Sequence, residues 1–122
     1  MVMDSDRIET FWQRYLDTLP EDSPIRNEEY LAEGWGDSPQ LADELGALIA
    51  AGTKTATCSA LWEYEAEGSP LPEPGSKTIV LDGDGDPLCI VETTEVEVRP
   101  SIGKEPTADM PLVCERFHVV YR

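Results

Sequence analysis

The chain predicts an α+β fold, a small curled sheet or barrel with helices packed against it. Three observations carry this expectation. Two amphipathic stretches with helical spacing come first. Strand-like runs then follow, separated by turns and loops, with no further helical pattern between them. The 122 residues suffice for one core of modest size, which fits a single domain.

Ile8, Phe11, Trp12, Tyr15, Leu16 and Leu19 recur at helical spacing; Ser5 or Asp6 can cap the start and Pro20 closes the segment. EDSPIRNEEY is loop-like, with a short turn or helix around Glu28 to Ala32. GWGDSP leads into a second helix, in which Asp37 or Ser38 caps and Pro39 sits in the first turn. Leu41, Leu45, Leu48 and Ile49 form its apolar stripe, and Gly52 is a C-terminal stop. Thr53 to Trp62, rich in threonine and small residues, suits a strand. EYEAEGSPLPEPGSK is a loop, Lys77 to Leu81 a short strand, DGDGDP a turn, Leu88 to Val98 a long strand and Leu112 to Tyr121 another.

Charge narrows the function. Nine basic residues against 25 acidic ones give a net charge of −16. Duplex DNA is held through its phosphates by Lys and Arg, and a surface this acidic repels a polyanion at long range. A small ligand, one splayed-out base or a basic protein remains compatible. No run has the length of a membrane span, and MVMDSDRIET has neither the basic nor the apolar region of a signal peptide. Cys58, Cys89 and Cys114 are far apart, odd in number and free of CxxC or Cys/His metal spacing. Cys89 and Cys114 fall in strand-like runs as small core residues. The expectation is a reduced, cytoplasmic protein with no cofactor and no metal.

DGDGD begins like a calcium loop at Asp82, Asp84 and Asp86. Pro87 stands where the loop needs glycine, and Thr93 where it needs a bidentate glutamate, so an Asp-Gly hairpin turn is the better reading. His118 is the only histidine and reads as structural. On a regular strand Glu92 shares a face with Leu88, Ile90, Thr94, Val96 and Val98, and would be the only charge there. A carboxylate so placed needs a partner, for which Lys54 is a candidate. A bulge or a solvent-facing side would remove that need. Lys54 and Thr57, three residues apart past a helix end, can turn toward one cavity, where a lysine activates a threonine hydroxyl or holds an anion.

GWGDSPQLADELGALIAAGTKTATCSALWEYEAEGSPLP resembles the ASCH domain of the PUA-like superfamily. LDGDGDPLCIVETTEVEVRP, DMPLVCERFHVVYR and the leading FWQRYLDTLP resemble the other blocks of bacterial ASCH proteins, in the expected order. The resemblance implies one PUA-like domain over residues 1–122, with a cleft beside the Gly52 to Lys54 junction. It also implies RNA or modified-base recognition. One ASCH group hydrolyses N4-acylated cytidine, and others have been assigned ribonuclease activity. The amidohydrolase group uses a lysine and a threonine that map onto Lys54 and Thr57, and a glutamate. Two departures stand out. Ser59 replaces the arginine that ends the G-x-K-x-x-T-x-R form of the motif. The chain also passes directly from Pro100 to Ser101, where similar proteins carry an acidic helical segment with that glutamate. Either the segment is deleted or the numbering runs across it.

The expected function is therefore recognition of a nucleoside or single-stranded RNA around Lys54. Trp35, Gly36, Asp37, Thr55 and Ser59 are expected ligand contacts. Trp35 either stacks on a base or plugs the barrel end, and Asp37 either accepts from an amine or caps the helix. The alternatives are an amidohydrolase or ribonuclease using Lys54, Thr57 and, as a substitute acid, Glu92, or a noncatalytic acidic interaction domain. Duplex DNA and membranes are not expected partners, and a homodimer is compatible with the reading.

Overall fold

The computed structural model describes residues 4–36, 38–68, 71–99 and 111–122. Among them the elements run α1 (Asp4–Leu16), a 3-10 turn (Pro24–Asn27), β1 (Tyr30–Gly34), α2 (Pro39–Ala50), β2 (Ala56–Ala60), α3 (Leu61–Glu67), β3 (Lys77–Leu81), β4 (Pro87–Arg99) and β5 (Leu112–Tyr121). The hydrogen-bonded strand order is β1-β3-β4-β5-β2, with β1 parallel to β3 and β2 antiparallel to β5. The α+β class expected from the sequence is observed. The Pro100–Ser101 junction lies outside the described residues.

Two elements correct the sequence reading. Glu28 to Ala32 holds no helix; Tyr30 to Gly34 instead forms β1. Only Tyr30 is half-buried there, so the strand lacks the apolar alternation that marks one, and its pairing along buried β3 holds it in place. Leu61 to Glu67 is a helix rather than strand end and loop. Its Leu, Glu and Ala residues are strong helix formers, and Gly68 stops it in the left-handed region at φ 67°, its N–H reaching the Tyr64 and Glu65 carbonyls.

The chain divides into two compact units. The first comprises Met1–Lys54, Lys77–Val91 and Val119–Arg122. Its core gathers Trp12, Tyr15 and Leu16 of α1 on Ile79 and Ile90, with Ile8, Phe11, Tyr30 and Tyr121 around them. The helical spacing of these aromatics thus serves packing, as Trp12 against Tyr30 at 4.6 Å and Phe11 edge-on to Tyr121 at 5.2 Å illustrate. Arg26 collects the carbonyls of Leu16, Leu19 and Pro20 beyond the end of α1. Lys77 is buried and paired with Glu28 at 3.1 Å.

The stripe expected on α2 is displaced. Ala42, Gly46 and Ile49 are buried, whereas Leu41 and Leu48 are exposed. The helix lies close to β4: a Cβ added to Gly46 would stand 2.5 Å from Leu88 Cδ1. Small residues therefore face inward and the bulkier leucines turn out. The DGDGDP turn is held by Asp82, whose carboxylate accepts from the N–H groups of Asp84 and Asp86, each at 2.9 Å. Asp86 is engaged by Arg7. Gly83 donates to Asp43 Oδ1 at 2.8 Å, tying the turn to α2.

The second unit comprises Thr55–Ser76 and Glu92–His118. Val113, Phe117 and Thr93 are its buried residues among those described. Cys114 is not the free core residue expected. It is half-buried and joined to exposed Cys58 in a disulfide across β2 and β5. The 56-residue separation hid this pair, because strand register rather than sequence proximity creates it. Cys89, in the first unit, is the fully buried cysteine. Burial pushes its thiol up to about 11, with the Arg122 charge acting the other way.

Candidate functional site

The end of α2 sets the position of Lys54. Gly52 takes φ 79°, and its N–H donates to the Ile49 carbonyl at 3.0 Å. The Thr53 N–H donates to Leu48 at 2.9 Å, completing a Schellman stop, and the Lys54 N–H shares the same carbonyl at 3.1 Å. Arg122 Nε caps the Ala50 carbonyl at 2.6 Å. A helix ended this firmly fixes where the backbone of Lys54 leaves it, and the Lys54 side chain is half-buried.

At the other end of α2, Ser38 is the cap, its hydroxyl accepting from the Leu41 N–H at 3.1 Å. Asp37 lies outside the described residues. Trp35 is half-buried, and its indole N–H donates to Glu33 at 3.1 Å. Gly36 adopts φ 113°, and an added Cβ would approach within 2.7 Å of Leu41 Cγ, so only glycine suits the position.

The second unit holds Thr55, Thr57 and Ser59. Thr55 is exposed, and its carbonyl accepts from the Phe117 N–H at 2.9 Å. From there the antiparallel register sets Ala56 opposite Arg116, Thr57 opposite Glu115, Cys58 opposite Cys114 and Ser59 opposite Val113. Buried Val113 and Phe117 mark the inner face of β5. Alternation carries Glu115 to that same face, and directly opposed residues share a face. Thr57 and Glu115, both half-buried, therefore stand side by side there, with Ser59 next along. Cα atoms of a hydrogen-bonded pair of this kind sit about 5.5 Å apart, within hydrogen-bonding reach for their side chains.

Glu115 is the residue the sequence reading missed. In VCERFHVV it looks like one more exposed charge, and only the register with β2 sets it beside Thr57. Glu92 meets β5 elsewhere. Its carboxylate lies 3.9 Å from His118 Nε2, and His118 alternates onto the outer face with Cys114 and Arg116. His118 is thus a described neighbour of Glu92, and it is more exposed than a core histidine. Arg116 makes a further exposed pair with Glu95 at 3.5 Å. No cluster of three or more His, Cys, Asp or Glu suited to a metal occurs among the described residues.

The described residues thus form a mixed five-stranded sheet in which β2 begins shortly after the Gly52 stop of α2. The ASCH domain family model matches residues 32–101, more than half of the chain, and the protein belongs to that family. Its fold is similar to that of an ASCH domain from Lactobacillus crispatus, with a TM-score of 0.83 at 24% identity over 96% of both chains. It is likewise similar to a protein from Enterococcus faecalis, with a TM-score of 0.79 at 31% identity, covering 96% of this chain and 94% of that one. No curated protein matches the chain. No helix among the described residues is long and apolar enough to cross a membrane.

Proposed function

We propose that this ASCH domain recognises a nucleobase, as a free nucleoside or within single-stranded RNA. The observation that supports the reading best is the pairing of Thr57 with Glu115 on the inner face of β2 and β5. A hydroxyl can donate or accept, and a carboxylate accepts from the exocyclic amine or ring N–H of a base. Ser59, next along the same face of the second unit, adds another hydroxyl that can donate or accept. A net charge of −16 favours one base or nucleoside over a long polyanion.

Calorimetric titration of the full chain with cytidine, guanosine, uridine and a short single-stranded RNA tests this. Binding is expected, at least tenfold weaker in Thr57→Val and in Glu115→Gln. Heat changes absent for every ligand at low salt, where phosphate contacts are strongest, would remove the proposal.

The same pair favours a second reading. A threonine nucleophile needs a group that takes its hydroxyl proton and returns it to the leaving amine, and the Glu115 carboxylate beside Thr57 is placed to do both. An amidohydrolase acting on N4-acylated cytidine would use Thr57 as nucleophile, attacking the acyl carbon and releasing the amine, with water then hydrolysing the acyl ester. Deacylation of N4-acetylcytidine that is lost in Thr57→Val establishes this version; wild-type protein without turnover eliminates it.

A further inference from the structure

The Cys58–Cys114 link lies one residue from the proposed ligand-binding pair, on the opposite face of the same strands. The hydrogen bonds from Phe117 to Thr55 and from Leu61 to the Pro111 carbonyl bracket the ladder. Between them the pairs alternate, so Thr57–Glu115 and Ser59–Val113 are hydrogen-bonded while Cys58–Cys114 is not. Non-hydrogen-bonded pairs are where antiparallel strands approach most closely, and these Cα atoms are 4.1 Å apart. Among the described residues β2 stands at the edge of the strand order, with β5 as its strand partner. Cys58 is exposed on that edge and Cys114 is half-buried. An attacking small molecule therefore reaches Cys58 first.

We propose that Cys58 and Cys114 are a reversible thiol–disulfide switch. Its partner is a low-molecular-weight thiol/disulfide couple of the glutathione type, and its state sets how firmly the Thr57-bearing strand is held. In the oxidising direction the Cys58 thiolate attacks one sulfur of the small disulfide. A mixed disulfide forms at Cys58 and one small thiolate leaves. The Cys114 thiolate then attacks the Cys58 sulfur, closing the protein disulfide and releasing the second small thiolate. Two protons leave the protein thiols, and two electrons reduce the small disulfide. The reverse sequence reopens the pair. Cys89 takes no part, being fully buried in the other unit. The link closes a 56-residue separation, so reduction removes the covalent tie between β2 and β5 and leaves their backbone ladder to hold them.

The full chain is equilibrated in glutathione buffers from almost wholly reduced to almost wholly oxidised, then trapped with an alkylating reagent and analysed by mass spectrometry. Amide hydrogen exchange is followed in parallel. The pair is expected to convert between dithiol and disulfide within this range while Cys89 stays unmodified. Exchange in residues 56–60 is expected to be at least tenfold faster in the reduced form, with residues 77–81 unchanged. Cys58→Ser should show the faster exchange in every buffer; reduced wild-type chain makes the same comparison should that variant fail to fold. Thiols that stay reduced in oxidised glutathione, a disulfide that survives the reducing end, or equal exchange of β2 in both states would overturn the switch. None of these readouts needs a ligand, so failure of the nucleobase reading leaves the outcome interpretable.

Discussion

Replacing Gly83 by alanine should damage the protein well beyond the effect of one added methyl group. The new Cβ would overlap the Pro39 carbonyl oxygen and stand 2.8 Å from the carbonyl carbon and 2.9 Å from Cα. Ordinary contact needs roughly 3.5 Å or more, so backbone must move by more than half an ångström. Backbone cannot rotate away as a side chain can. Overpacking of this kind costs about 1–3 kcal/mol. The shift also stretches the Gly83 N–H bond to Asp43, an exposed charge-assisted contact that contributes about 1 kcal/mol more. The total is about 2–4 kcal/mol, or a Tm lower by roughly 8–15 °C in a chain of this size. Gly68→Ala is the control: Gly68 has φ 67° and nothing within 4 Å of an added Cβ, so it incurs only the about 1–2 kcal/mol of left-handed backbone strain. Urea unfolding of both variants, with unchanged m-values, supplies the comparison. Gly83→Ala within 1 kcal/mol of wild type, or no worse than Gly68→Ala, would refute the close approach of the turn to α2.

Glu28→Gln should lower stability by about 1–2 kcal/mol, because buried Lys77 loses an anionic partner; adding Lys77→Met should recover part of it, as a double-mutant cycle in urea would measure. Alkaline pH should destabilise the protein in a defined window. The native Cys89 thiol keeps its proton up to about pH 11, whereas the unfolded thiol loses it near 9.0, so the stability present below pH 9 falls through 11 by an amount on the order of 1–3 kcal/mol. Tyr30, raised from 10.0 to about 12 by burial and by donating to Glu9, extends the decline between those values. A stability curve flat from pH 8.5 to 11 would contradict both.

Local signals in the sequence located most elements. The aromatic spacing of α1, the Ser38-Pro39 start and Gly52 stop of α2, and the apolar runs of β3 and β5 each carry their own physical cause. What escaped was set by partners distant in sequence. β1 is a strand because β3 runs beside it, and α2 turns Leu41 and Leu48 outward because Gly46 lets the helix approach Leu88. The candidate site divides along the same line. The residue types at Lys54, Thr57 and Ser59 stood out in GTKTATCS, but Glu115 and the Cys58–Cys114 link follow from the register of two strands more than fifty residues apart.

The central claim is that the inner face of β2 and β5 meets a base. Backbone amide NMR of the full chain during titration with cytidine tests it most directly. The account predicts saturable shifts at Thr57, Ser59 and Glu115, with smaller ones at outer-face Arg116 and His118, and their loss in Glu115→Gln. Saturable shifts confined to residues away from β2 and β5, or spectra that do not change at millimolar cytidine and guanosine, would contradict it.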